Sequence, residues 1–201
     1  MTTWTDDNKA VMRTYVNVFL GLGSNLDDPV QQIKNAIQAL QQLPDCVWLS
    51  SSSLYQSIAM TENFVEVNSA DVNSCLSKSL HATLDSSNES QADYINAVVN
   101  IKTTLNAFQL LEQTMAIEQQ QKRQREIHWG PRTLDIDLLV YGSELINTDI
   151  LTVPHPGMHQ RSFVLLPLSE LVSEDFIIPG RGCLGEFLLK SGEDGTRKLE
   201  N

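Results

Sequence analysis

The sequence predicts an α+β fold: one mostly antiparallel sheet with two helices packed on it, in the order β-α-β-β-α-β. Three observations predict it. Four segments read as strands, near 15–22, 47–57, 94–105 and from Leu134 onward. Two stretches carry apolar residues at helical spacing, each behind a capping residue. One helix falls between the first and second strands and the other between the third and fourth, which is the split unit of ferredoxin-like folds.

The first strand, "YVNVFLGL", is β-branched and aromatic enough to be buried. "GLGSNLDDP" then reads as a turn. Asp28 suits a helix N-cap and Pro29 the first helical position. Val30, Ile33, Ala36, Ile37 and Leu40 form the apolar stripe of a helix that ends near Leu43-Pro44. The third strand is "YINAVVNIKTTL". The second helix is capped by Asn106, with Phe108, Leu111, Met115 and Ile117 expected on or near its inner face. In the fourth strand Leu134, Ile136, Leu138 and Val140 alternate with Asp135 and Asp137.

One domain is expected over 15–189. Residues 1–14 read as an N-terminal extension, and 190–201 as a polar tail. The Ser- and Asn-rich segment 61–93 reads as a long loop insertion. A chain of 201 residues with 41% hydrophobic content can bury one proper core. No apolar run approaches the ~20 residues of a membrane span, and the polar start lacks the pattern of a secretory signal. A cytoplasmic protein is expected. Cys46, Cys75 and Cys183 have no zinc-site spacing and read as free thiols. A net charge of -11 disfavours nucleic acid and anionic membranes as partners. Against that background Lys122, Arg123, Arg125 and Arg132 form a local basic cluster, which suits a small anionic ligand.

"GLGSN" is neither a Walker A loop, since no GK[ST] follows, nor GxGxxG, since Leu26 stands at the third glycine position. Gly21 and Gly23 are expected to permit a turn or close packing, with Ser24 and Asn25 bonding locally. The aspartate pair is more pointed. Residues i and i+2 of a strand share a face ~6.6 Å apart. Two carboxylates there repel each other unless cations compensate. Magnesium takes a few carboxylates plus water and phosphate oxygens, and two such ions clamp a polyphosphate. Arg132, three residues ahead, adds the planar donor set that matches phosphate.

"GLGSNLDDP", "YINAVV", "WGPRTLDIDLLVYG" and "VPHPGMHQRSFVLLPL" occur in that order over roughly 16–175. Together they resemble the 6-hydroxymethyl-7,8-dihydropterin pyrophosphokinases of folate biosynthesis, which transfer pyrophosphate from ATP to a reduced pterin and release AMP. The resemblance implies two magnesium ions on Asp135 and Asp137. It implies that Arg132 contacts phosphate and that Arg123 assists transfer, with Arg125 nearby. It assigns His155 and Arg161 to the ATP phosphates and Thr152 to the same nucleotide-binding stretch. Tyr94 and Phe163 would sandwich the pterin, Asn96 would read its edge, and Trp129 would close over the site. Ser57 opens "SIAM", which stands where the family has a Thr-x-Pro-x-Gly stretch shaping the pterin pocket. Lys122 and His128 also depart from the family pattern, where a glycine and an arginine are common. The implied partners are small molecules only, with no nucleic acid or membrane, and the chain is expected to be a monomer.

Two alternatives stand beside this. A nucleotidyltransferase also uses a Gly-Ser turn and an Asp-x-Asp strand, but there the aspartates follow the turn closely, and here Ser24 and Asp135 are far apart. A non-catalytic relative that binds pterin or nucleotide is the other.

Overall fold

The computed structural model describes residues 14–58, 92–121, 133–192 and 195–200. The expected extension and insertion fall almost wholly outside these residues.

Strand β1 (Val16–Ser24) runs at the middle of the sheet, and its even-numbered residues Val18, Leu20 and Leu22 point into the main core. Helix α1 (Pro29–Gln41) starts where the sequence suggests. The Asp28 carboxylate accepts the Gln31 N–H at 3.3 Å, and Pro29 needs no donor in the first turn. Ile33, Ala36 and Leu40 bury its inner stripe. The expected second strand is broken in two, β2 (Cys46–Ser51) and β3 (Tyr55–Ser57). Both pair antiparallel with β4 (Tyr94–Thr103), and the Ser52 hydroxyl takes over at the break by accepting the Val98 N–H at 3.0 Å.

Helix α2 (Ala107–Gln120) opens with a full capping box, in which Asn106 and Gln109 each accept the other's backbone N–H. Its buried face matches the expected one only in part, with Ile117 in the core and Leu111 packed partly buried against it. Leu110, Thr114, Ile117 and Glu118 point inward, whereas Phe108 and Met115 are about two-fifths exposed, at 39% and 40%. The stripe that is buried is the one α2 packs against β5 and α1, and the charged Glu118 is drawn in with it.

Strand β5 (Asp135–Tyr141) pairs with the other side of β1. The order β3-β4-β1-β5, with β2 also on β4 and all pairings antiparallel, is the ferredoxin-like arrangement expected from the sequence. Helices α1 and α2 cover one face of it.

The C-terminal third builds a second layer on the opposite face. It contains the hairpin β6 (Ile146–Asn147) and β7 (Thr152–Val153), a 3-10 turn at Met158–Gln160, and α3 (Ser162–Ser169). The hairpin β8 (Ile177–Ile178) and β9 (Gly182–Cys183) and helix α4 (Leu184–Ser191) follow. Phe19, Val98, Leu139, Val140, Met158, Leu165 and Leu168 form the core of this layer. Val140 was expected on the side of Leu134 and Leu138. A register shift opposite Phe19 and Leu20 inserts one extra residue in β5, so Leu139 and Val140 both face the second layer. Part of the stretch read as a polar tail supplies a strand, β10 (Arg197–Lys198), paired with β3 at the sheet edge. No helix among the described residues is long and apolar enough to cross a membrane.

Candidate active site

Two rows of residues cross the sheet on the face away from α1 and α2. Asn96 on β4 lies opposite Gly23 on β1, and Gly23 lies opposite Asp135 on β5. In the next row the order is Val98, Gly21, Asp137. The central strand contributes no side chain in either row, so the outer residues of each row stand about 10 Å apart across an open floor. A cavity of about 270 Å³ occupies this space, near the ~300 Å³ lower end of small-molecule sites.

Gly21 and Gly23 are therefore strand residues of the cavity floor, and the chain does not turn there. At Gly21 a Cβ would lie 3.3 Å from the Leu139 side chain, the bulge residue of β5. At Gly23 it would lie 3.5 Å from Asn96 Oδ1. Alternation alone could have disclosed this, since two glycines at i and i+2 clear one face of a strand just as two aspartates load it. Ser24 and Asn25 bond across the fold, where local turn bonds were expected. Ser24 Oγ donates to Thr133 O at 2.6 Å, and Asn25 Nδ2 donates to Ala92 O at 3.1 Å. These bonds tie the end of β1 to the residues that lead into β5 and β4.

The walls gather Ser57, Tyr94, Asn96, Asp135, Asp137, His155, Arg161 and Phe163, eight of the residues singled out from the sequence, around one cavity. Asn96 is 5% exposed and donates from Nδ2 to Ser57 Oγ at 3.0 Å. That bond fixes the amide with Oδ1 on the Gly23 side. Ile58, Leu139 and Val164 complete the apolar part of the lining and carried no sequence signal of their own. Thr152 lies in the β6–β7 hairpin and does not line the cavity. Arg123, Arg125, Trp129 and Arg132 lie outside the described residues, as do Lys122 and His128.

His155 is placed by the backbone. Its N–H donates to Leu139 O at 2.9 Å, which pins the loop after β7 to β5. Its Nδ1 accepts the Gly157 N–H at 3.3 Å, so the ring proton of the neutral form sits on Nε2. That atom is 4.0 Å from Asp137 Oδ2, too far for a direct hydrogen bond. Burial pushes the imidazole pKa down to about 4, and Arg161 and Arg181 add to this against the opposing pull of Asp135. His155 is thus neutral at pH 7 and offers its Nε2 proton as a donor. Arg161 lies over the Phe163 ring at 5.7 Å. A Cβ at Gly157 would come within 3.0 Å of its Nε, so glycine leaves room for the guanidinium there.

Asp135 and Asp137 share the cavity face with His155 nearby. Among the described residues there is no cluster of three or more His, Cys, Asp or Glu groups able to cage a metal. A pair of carboxylates without a cage suits magnesium, which keeps water and substrate phosphate as its other ligands. A closed zinc site would need four protein groups.

A family model for 7,8-dihydro-6-hydroxymethylpterin-pyrophosphokinase (HPPK) matches residues 19–173. The 2-amino-4-hydroxy-6-hydroxymethyldihydropteridine pyrophosphokinase of Haemophilus influenzae is 34% identical over 184 residues, covering 92% of this chain and 98% of that protein. Its namesake from Bacillus subtilis is 35% identical over 156 residues, 78% of each. Among solved structures, wild-type Plasmodium falciparum HPPK-DHPS with pterin and p-hydroxybenzoate superposes with a TM-score of 0.57 at 16% identity. It covers 90% of this chain, which spans 44% of that longer one, and at this identity the likeness bears on fold alone. With a family model spanning most of its length and relatives above 30% identity covering 92% and 78% of it, the chain belongs to the 7,8-dihydro-6-hydroxymethylpterin-pyrophosphokinase family.

Proposed function

We propose that the cavity over Gly21 and Gly23 is where this family member does its chemistry. The enzyme transfers pyrophosphate from ATP to 6-hydroxymethyl-7,8-dihydropterin in folate biosynthesis. One observation carries the assignment of the site: the rows set Asp135 across bare Gly23 from Asn96, with Asp137 beside it across bare Gly21 from Val98. A flat ring bonded to the amide would then point its substituent toward the carboxylate side.

In this reading Tyr94 and Phe163 hold the pterin between their faces, and Asn96, oriented by Ser57, supplies a paired donor and acceptor to its edge. Asp135 and Asp137 would hold two magnesium ions, which when bound screen the phosphates and make the substrate hydroxyl more acidic. Arg161 meets the ATP phosphates with its charge, and His155 meets them with its Nε2 proton. Arg123, Arg125 and Arg132 add positive charge from outside the described residues, Thr152 borders the nucleotide, and Trp129 would close over the site. The hydroxymethyl oxygen bonds to the β-phosphorus of ATP, the bond from that phosphorus to the α-phosphate bridging oxygen breaks, and AMP leaves. The hydroxyl proton passes to water. Catalysis of this kind rests on positioning and charge neutralisation.

All of these groups come from one chain, so a monomer suffices, and residues 15–189, joined at the sheet edge by β10, act as one domain. The test is incubation with ATP, magnesium and the reduced hydroxymethylpterin. AMP release is expected. Pyrophosphate release would mean nucleotidyl transfer, and neither product would mean a binding protein. Asp137→Ala should stay folded by circular dichroism and release no AMP; near-normal AMP release would remove the metal assignment.

A further inference from the structure

The geometry points to Glu118 as a positioning residue for the aspartate pair: its carboxylate grips the backbone between Asp135 and Asp137 and fixes the face they present. This rests on the reading that the pair holds the divalent ions.

Glu118 sits near the end of α2 and is 3% exposed. Burying a carboxylate costs several kcal/mol unless strong partners compensate. Its Oε1 accepts the Ile136 N–H at 2.7 Å, the length of a charge-assisted bond. Ile136 is the residue between the two aspartates. Among the described residues strand β5 is the last on its side of the sheet, so alternate N–H groups along it face away from β1 and lie outside the ladder. Glu118 supplies the partner at the N–H of Ile136, in one of the two peptide units that link the carboxylate-bearing residues. On the inner side, Gly23 and Gly21 pair with Asp135 and Asp137 themselves. The strand is thus held from both edges over these three residues. Outer partners of metal-binding carboxylates matter because they fix the ligand's orientation.

Two conservative variants separate the hydrogen bond from the charge. Glu118→Gln keeps an acceptor at the same reach and loses the charge. Glu118→Asp keeps the charge and withdraws the acceptor by one methylene. Mn²⁺ binding is measured by electron paramagnetic resonance with saturating α,β-methylene ATP, so turnover plays no part, and Asp137→Ala serves as control. Glu118→Gln is expected to bind close to wild type, and Glu118→Asp about ten-fold more weakly. In the metal-free protein, amide exchange at Ile136 should speed up in Glu118→Asp and stay slow in Glu118→Gln. Wild-type Mn²⁺ affinity in Glu118→Asp, or an equal loss in both variants, overturns the proposal. Undisturbed Ile136 protection in Glu118→Asp does the same. If Asp137→Ala itself binds Mn²⁺ like wild type, the metal assignment has failed, whatever Glu118 does.

Discussion

Asn96 donates its side-chain N–H to Ser57 Oγ at 3.0 Å, across the pairing of β4 with β3, and this sets which way the amide faces the cavity. A free amide could flip and offer the wrong edge. Ser57→Ala should raise the pterin KM about five-fold, the ~1 kcal/mol of one neutral hydrogen bond, with kcat little changed. Asn96→Ala should cost more, because both the donor and the acceptor to the ring are lost. Steady-state kinetics in pterin check both. A Ser57→Ala enzyme with unaltered KM would detach that hydroxyl from recognition.

Gly23 separates Asn96 from Asp135, and a single added Cβ there meets only ordinary contact. Gly23→Ala should therefore fold normally and bind pterin slightly more weakly. Gly23→Val should suit the strand but fill the floor, weakening pterin by about ten-fold, as 1–3 kcal/mol of overpacking implies. Fluorescence titration with the pterin, beside a thermal melt, distinguishes a blocked pocket from an unfolded protein.

Arg161 reaches the cavity as a planar cation laid on Phe163. Arg161→Lys keeps the charge and loses the fork that matches phosphate. The KM for ATP should rise about ten-fold, near the ~1.5 kcal/mol of a charge-assisted bond, while the pterin KM holds. Equal effects on both substrates would place Arg161 elsewhere in the reaction.

Glu170 ties the C-terminal end of the chain to the edge strand. Its carboxylate accepts from Lys198 Nζ at 2.6 Å, the Ser53 N–H at 2.7 Å and the Tyr55 hydroxyl at 2.9 Å. Burial pushes its pKa up, but these three donors outweigh burial and hold it down to about 2. The phenol of Tyr55 is pushed the other way, to about 12, by burial and then by this carboxylate. A depressed carboxylate pKa stabilises the fold fully above the ordinary value of 4.5, and the contribution is lost as pH falls from there toward 2. Lys198 is more than half exposed, which screens its share. Glu170→Gln should cost about 1 kcal/mol at pH 7 and almost nothing near pH 2. Urea unfolding at the two pH values tests it; a constant difference would contradict the assignment.

Much of the fold was legible in the chain because it rests on local rules. Asp28 and Asn106 cap helices where their side chains can reach back to the next turn, and the apolar stripe of α1 is the one that packs. The alternation around Asp135 and Asp137 placed both carboxylates on one face, and "WGPRTLDID" carried the family with it. The roles of Arg123, Arg125 and Arg132 rest on their clustered charge and on that likeness, and that of Trp129 on the likeness alone. Other features depended on distant segments meeting. The face of α2 followed its packing on β5 and α1, which left Phe108 largely outside and took Glu118 in. Val140 changed sides because a bulge opposite Phe19 added a residue that no periodicity records. Sequence by itself determined that two carboxylates share one face of a strand, since that is a matter of spacing along it, while the assignments to phosphate and ring came with the family likeness. Only the tertiary structure decided that two glycines on a third strand would lie between the carboxylates and the β4 residues opposite, because pairing register is set by the whole sheet and its core.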